Sequence, residues 1–172
     1  MLGLGAIAAA VGCGRAAADE RGNYFNDPFV QVTRGIADCP VPEGPMITKA
    51  QMRAEAHSRI ERGTSCYLSG RCRLPNSYLY DKEIIPRVSM AILASGRFAG
   101  TSVWAEGQRR WVWLKGCVRS REQAEALERL VRDIDDVEAV IDQLVVVGKG
   151  AAGGAGAPVD QPTVAGGRHG LR

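Results

Sequence analysis

The spacing of hydrophobic residues predicts three helices, the first over residues 48 to 62. Apolar residues recur there at every fourth position: Met52, Ala56 and Ile60. Thr48 and Gln51 have the spacing of a capping box. In this motif the Thr hydroxyl accepts from the backbone amide of Gln51, and the Gln side chain accepts from the backbone amide of Thr48. Gly63 has the position of a left-handed C-cap, so we expect the helix to end there.

The second predicted helix covers residues 81 to 95, with Pro86 close enough to its start to be tolerated. Its apolar stripe consists of Ile84 or Ile85, Val88 and Ile92. Ser120 and Gln123 form a second capping box and start the third helix. Its apolar residues follow at helical spacing: Ala124, Leu127, Leu130, Val131 and Ile134.

Runs of β-branched and aromatic residues predict three strands, at residues 101 to 106, 111 to 118 and 137 to 147. Residues 107 to 110 join the first two strands as a hairpin. Residues 23 to 45 are rich in Asn, Asp, Pro and Gly, so we expect them to wrap a surface without regular structure. Residues 64 to 80 have the composition of a loop.

Both ends of the chain differ in composition from its middle. Residues 1 to 12 are uncharged and apolar, too few to span a bilayer, and typical of the core of an export signal. Two processing sites stay open: cleavage after Ala18, or cleavage before Cys13 with lipidation of that cysteine. We favour Cys13, because residues 10 to 13 resemble a bacterial lipobox. A short buried helix is the third interpretation.

The chain therefore divides into four parts. An export signal or lipobox region covers residues 1 to 18, an N-terminal extension residues 19 to 77, and an α/β domain residues 78 to 148. After Gly148 the chain is rich in Gly, Ala and Pro and cannot bury enough apolar surface to fold, so we predict a disordered tail over residues 149 to 172.

The hairpin and the last strand carry two sequence patterns with defined spacing. The first is Val-x-Leu-x-Gly-x-Val, made by Val112, Leu114, Gly116 and Val118. The second consists of Val137, Val140, Leu144 and Val146. In this order, with the helices around them, they resemble the BON domain, named for bacterial OsmY and nodulation proteins. The chain departs from that family at Asp136, where Gly is usual, at Asp142, where Asn is usual, and by extra residues 108 to 110.

The resemblance implies an α+β fold of α-β-β-α-β order. A three-stranded mixed sheet would carry two helices on one face, preceded by an irregular, disulfide-bearing segment with one helix. It also implies a periplasmic or outer-membrane protein that associates with phospholipid or envelope components in osmotic or envelope-stress protection, without cofactors. An accessory protein-protein interaction subunit of a larger envelope or secretion assembly is the alternative.

Strand periodicity places all three tryptophans on the sheet face without helices. If Val112 and Leu114 face the helices, Trp111 and Trp113 face away. The same phase gives the whole candidate lipid or partner face: Trp104, Trp111, Trp113, Lys115, Ile141 and Val145. A patch of this size needs a cover, which is the chain's own residues 20 to 80, a partner or second copy, or a lipid headgroup region near Arg109 and Arg110.

An exported protein keeps its cysteines in an oxidising compartment, where they normally pair. With Cys13 lipidated, four cysteines remain with three possible pairings. We favour Cys66 with Cys72, and Cys39 with Cys117, the second pair stapling the N-terminal extension over the tryptophan face. A zinc site of Cys39, His57, Cys66 and Cys72 is the alternative, although the five residues between the last two cysteines exceed the usual ligand spacing.

Charge and histidine content argue against two classes of function. Residues 78 to 148 carry ten Lys or Arg and eleven Asp or Glu, well mixed, which disfavours nucleic-acid binding. The only histidines are His57, on a predicted helix, and His169, in the predicted tail, so no nucleophile and base pair is evident. We expect a non-enzymatic protein. The acidic residues Asp133, Asp135 and Asp136 are expected to form a solvated helix end, with weak cation binding as the alternative.

Overall fold

The structure, a computed structural model, describes residues 20–148. The predicted export signal, the lipidation site Cys13 and the predicted tail lie outside these residues. No helix within the described part is long and apolar enough to cross a membrane.

Residues 20–148 form three helices and six strands. The strands are β1 (Arg21–Gly22), β2 (Phe29–Gln31), β3 (Ile47–Thr48), β4 (Ser102–Gln108), β5 (Trp111–Val118) and β6 (Ala139–Val146). The helices are α1 (Lys49–Leu68), α2 (Asp81–Ala94) and α3 (Arg121–Arg132), and a 3₁₀ turn at Ser77–Tyr80 leads into α2.

The main sheet has four strands in the order β2-β4-β5-β6. β4 and β5 form the antiparallel hairpin, and β6 returns parallel to β5 after the α3 crossover. This part confirms the predicted α+β domain. The fourth strand, β2, comes from the N-terminal extension and pairs antiparallel with β4. The prediction that residues 23 to 45 lack regular structure is therefore wrong, because a three-residue strand made by pairing with a distant segment leaves little local signal.

Helices α2 and α3 cover one face of this sheet and enclose the core. The predicted stripe of α2 is almost wholly buried: Ile84, Ile85, Val88 and Ile92. From α3 come Ala124, Leu127 and Val131, and from the hairpin Val103, Val112, Leu114 and Val118. Each large aliphatic side chain contributes about 1.5 to 3 kcal/mol by leaving water, so this layer carries much of the domain's stability.

The N-terminus of α1 has the predicted capping box. Gln51 N donates to Thr48 Oγ1 at 3.2 Å, and Thr48 N donates to Gln51 Oε1 at 2.8 Å. At the start of α3 only half of the expected box forms. Gln123 N donates to Ser120 Oγ, but the Gln123 side chain accepts from Arg119 N, one residue before the cap.

The predicted end of α1 at Gly63 is wrong. The helix continues to Leu68, so Cys66 lies on the helix and not in a loop. Gly63 is buried, and a Cβ atom at this position would collide with the side-chain amide of Asn76. The glycine is present because the helix approaches the loop before the 3₁₀ turn closely, and the sequence signal of a C-cap is indistinguishable from that of a close approach.

We predict that Gly63→Ala destabilises the protein by about 1 to 3 kcal/mol, the usual cost of forcing an extra group into a packed site. Helix propensity alone predicts the opposite sign, because Ala is favoured over Gly in a helix by about 1 kcal/mol. Urea unfolding of wild type, Gly63→Ala and the exposed-site control Ser65→Ala measures the difference. A Gly63→Ala protein as stable as the control would show that α1 does not pack on Asn76.

Candidate functional site

The outer face of the sheet, opposite α2 and α3, follows the predicted alternation. Val112 and Leu114 are fully buried under the helices, whereas Trp111 and Trp113 lie on the other face and are half-buried. The strand register continues this face onto β6, where Ile141 pairs with Trp113 and Val145 pairs with Cys117.

One half of this face is covered by the N-terminal extension. Trp104 lies under the cover and is only 5% exposed. The chain after β2 is held along β4 by further hydrogen bonds. Among them, Gly35 N donates to Thr101 O at 2.6 Å, and Ile36 N donates to Ser102 Oγ at 2.9 Å. A disulfide between Cys39 and Cys117 then fastens the segment to β5.

Lys115 belongs to the covered half as well. Its ammonium group donates to Glu106 Oε2 at 2.7 Å and to Glu43 O at 2.9 Å. Both charges are largely buried, so this lysine is an internal ion-pair partner and not a cation presented to a membrane. The prediction that Trp104 and Lys115 belong to the contact face is therefore wrong, because the extension covers both side chains.

Gly116 explains how Trp104 fits against the sheet. Its φ of 112° lies where side chains are disfavoured, and an added Cβ would lie 2.9 Å from Trp104 Cε3 and collide with Ser102 O. The family-motif glycine thus leaves room for the indole ring, and the sequence pattern reflects this close packing.

The other half of the outer face is accessible. Trp111 and Trp113 pack with their ring centroids 6.1 Å apart, and the Arg109 guanidinium lies 4.8 Å from the Trp111 ring. Val145, further along the same face, is 60% exposed. A cavity of about 220 Å³ opens beside the indoles, lined by Arg62, Tyr78, Gln108, Arg109, Trp111 and Trp113. Among the described residues, Trp111 Nε1 is buried without an acceptor.

A buried ion pair fixes α1 beside this cavity. Arg59 donates from Nη1 and Nη2 to the two carboxylate oxygens of Asp27, at 2.9 and 2.5 Å. The guanidinium lies between the rings of Phe25 and Tyr78, 4.0 and 3.9 Å from their centroids. Gln108 Nε2, at the end of β4, donates to the same carboxylate at 3.1 Å. The extension, α1 and the hairpin therefore meet at one charged group.

Asp81 fixes the tip of the hairpin. The predicted four-residue connection is a two-residue turn, because β4 includes Gly107 and Gln108. Arg109 and Arg110 both have positive φ, 58° and 68°, an uncommon conformation for residues with side chains. Their amides donate to the two Asp81 carboxylate oxygens, each at 2.7 Å. These bonds hold the strained turn and thereby aim Arg109 over Trp111.

Arg110 points away from the tryptophans, contrary to its expected role on that face. Its Nε donates to Asp136 O at 2.8 Å, and its Nη1 lies 3.2 Å from Cys72 Sγ. Cys72 is bonded to Cys66, so both disulfides are the pairs favoured from the sequence. With all four cysteines bonded, the zinc alternative has no thiolates among residues 20–148, and His57 is exposed on α1.

Three family-motif residues of the second pattern, Val137, Val140 and Leu144, pack against the core. Val146 has the inward phase but is 45% exposed, because it is the last residue of an edge strand. Asp136 adopts a φ of 71°, which accounts for the glycine usual at that position. Its carboxylate pairs with Arg87 at 3.0 Å, so it is not free for a cation.

Burial raises the pKa of Asp81 to about 7 from its ordinary 3.8. The negative charge of Asp27 acts in the same direction, whereas the two backbone amides and Arg59 oppose the shift. The carboxyl group at the hairpin tip therefore titrates near neutrality.

The family model of the BON domain matches residues 80–148. No curated protein matches the chain.

We predict that the free energy of unfolding decreases between about pH 4 and pH 7 because of Asp81. The folded state binds its proton more tightly than the unfolded state, so this contribution is complete below pH 3.8 and is lost as the pH rises through about 7. The slope from one proton is at most about 1.4 kcal/mol per pH unit.

Urea unfolding across this range, in wild type, Asp81→Asn and the exposed control Asp133→Asn, separates the effect. Asp81→Asn should lose the slope whatever its overall stability, and Asp133→Asn should keep it. An unchanged slope in Asp81→Asn would assign the pH dependence to another group.

Proposed function

Because the chain contains a BON domain at residues 80–148, we propose that it is an envelope protein that associates with phospholipid surfaces through the open half of its sheet. BON domains are typical of periplasmic or envelope-associated proteins, and they bind phospholipids or membranes generally. We assign the periplasm as the location, with Cys13 as a candidate lipid anchor. Protection against osmotic or envelope stress extends the same proposal.

The observation that carries the proposal is the pairing of two half-buried tryptophans with two arginines around one cavity. Indole rings favour the boundary between headgroups and acyl chains, where one part of the ring is apolar and its N–H finds acceptors. Trp111 Nε1 has no acceptor among the described residues. Arg62 and Arg109 line the same cavity, and guanidinium groups bind phosphate oxygens in a planar, bidentate manner.

Apolar residues extend this surface along the sheet. Ile141 of β6 is the neighbour of Trp113 on β5, and the exposed Val145 continues this apolar surface toward the end of β6. A membrane contacting the indoles would therefore also contact these two side chains.

We also propose that the protein is non-enzymatic. In support, the buried carboxylates have structural partners: Asp27 binds Arg59, Asp81 binds the hairpin amides, and Glu106 binds Lys115. Groups used in this way are not available as a general acid and base.

The proposal predicts that Trp111→Ala combined with Trp113→Ala weakens binding to vesicles of phosphatidylethanolamine and phosphatidylglycerol by at least about tenfold. A tenfold change corresponds to about 1.4 kcal/mol, less than the burial of two aromatic rings provides. Flotation of a chain starting at Asp19 measures it, because residues 1 to 18 are apolar enough to bind lipid by themselves.

The matched control is Met90→Ala with Leu93→Ala. These side chains are 62% and 61% exposed on α2, on the opposite side of the sheet. The control should float like wild type, and circular dichroism should show all variants folded. Absence of flotation in the wild-type chain, or equal flotation of the tryptophan variant, would reject lipid binding at this face.

A further inference from the structure

Strand β6 is the longest unpaired edge of the main sheet within residues 20–148. One edge of β6 pairs with β5 over eight residues, and no described strand pairs with its other edge. The opposite edge, β2, has only three residues. An exposed edge strand presents a row of free backbone donors and acceptors, which is a template for pairing with another strand.

The geometry of the ladder identifies which backbone groups face outward. In a parallel pair, alternate residues bond to the neighbouring strand. Val147 N donates to Val118 O, so the backbone groups of the odd-numbered residues of β6 bond to β5. The backbone groups of the even-numbered residues point toward the free edge of the sheet. One outward amide, that of Leu144, donates to its neighbour Asp142 Oδ1 at 2.8 Å.

The side chains of β6 do not guard this edge as natural edge strands usually do. The strand contains no Pro or Lys, and its apolar Val145 and Val146 are 60% and 45% exposed. Asp142 is its single charged residue, and its carboxylate accepts from Leu144 N of the same strand and lies 3.8 Å from Arg121 Nη1 of α3. An edge this apolar favours pairing over solvation.

We propose that β6 pairs antiparallel with β6 of a second copy of this chain, about a two-fold axis at Gln143. This axis is perpendicular to the sheet and leaves every side chain on its own face. Each residue must therefore lie opposite a residue whose side chain is on the same face. An axis at Asp142 would place two carboxylates directly opposite each other, which is destabilising. Moving the axis to Gln143 places two neutral amides there and sets Asp142 opposite Leu144 of the second copy.

This register also covers the exposed apolar side chains. Val145 becomes the cross-strand neighbour of Ile141 in the second copy, and Val146 the neighbour of Val140. Because Ile141 already neighbours Trp113, the apolar surface of one copy continues into that of the other. Leu144 N exchanges its bond to the Asp142 side chain for one to the Asp142 carbonyl of the second copy. The pairing does not depend on lipid binding.

Gln143→Cys in the full chain tests the register. Gln143 would form a non-hydrogen-bonded pair with its copy, with Cα atoms about 4.5 Å apart, within the range that a disulfide spans. Cys13→Ser in every variant leaves the introduced cysteine as the only thiol outside the two disulfides. Oxidation should shift the chain from 18.4 kDa to twice that mass on a non-reducing gel.

Val145→Cys is the matched control, on the same strand and the same face. Its partner in the second copy is Ile141, so two cysteines at this position lie too far apart to bond, and its oxidation should give no dimer. Val145→Lys should in addition convert a dimer in sedimentation equilibrium to a monomer while circular dichroism stays unchanged. Equal crosslinking of Gln143→Cys and Val145→Cys, or a monomeric wild type, would overturn the proposal.

Discussion

The bidentate ion pair between Arg59 and Asp27 is the constraint on which the arrangement of the molecule depends. A buried charge that loses its partner costs about 3 to 5 kcal/mol, so these two residues must come together whenever the protein is folded. Arg59 belongs to α1, Asp27 lies just before β2, and Gln108 of the hairpin donates to the same carboxylate. The bond from Gln108 and the pairing of β2 with β4 join the extension, held together by this ion pair, to the domain of residues 80–148.

This docking divides the outer sheet face in two. Over one half, the extension buries Trp104 and accepts a hydrogen bond from Lys115, whose charge is paired with Glu106 of β4, and a disulfide makes the cover permanent. Over the other half, α1 passes beside the cavity at Trp111 and Trp113 and supplies Arg62, while Asp81 holds the turn that supplies Arg109. The proposed lipid surface is thus made jointly by the domain and its extension, with the same buried groups serving stability and placement.

Much of this could be predicted from the sequence, because the patterns involved are local. Capping residues, apolar stripes and strand alternation gave α2, α3, the hairpin and the tryptophan face. The pair Cys39–Cys117 followed from that face, and the pair Cys66–Cys72 followed from the short loop that it closes. What could not be predicted depends on tertiary contacts: β2 exists only by pairing with β4, and Gly63 marks a close approach to Asn76. The Arg59 and Asp27 pair was missed because nothing near either residue marks its partner.

Hydrogen–deuterium exchange tests the central claim, that the extension and the domain are one unit, most directly. The amides of Val32 and Gly35 donate to Val103 and Thr101, so peptides covering residues 29 to 39 should exchange as slowly as those covering β4. Exchange of residues 29 to 39 at the rate of an unstructured segment, with β4 still protected, would contradict the account.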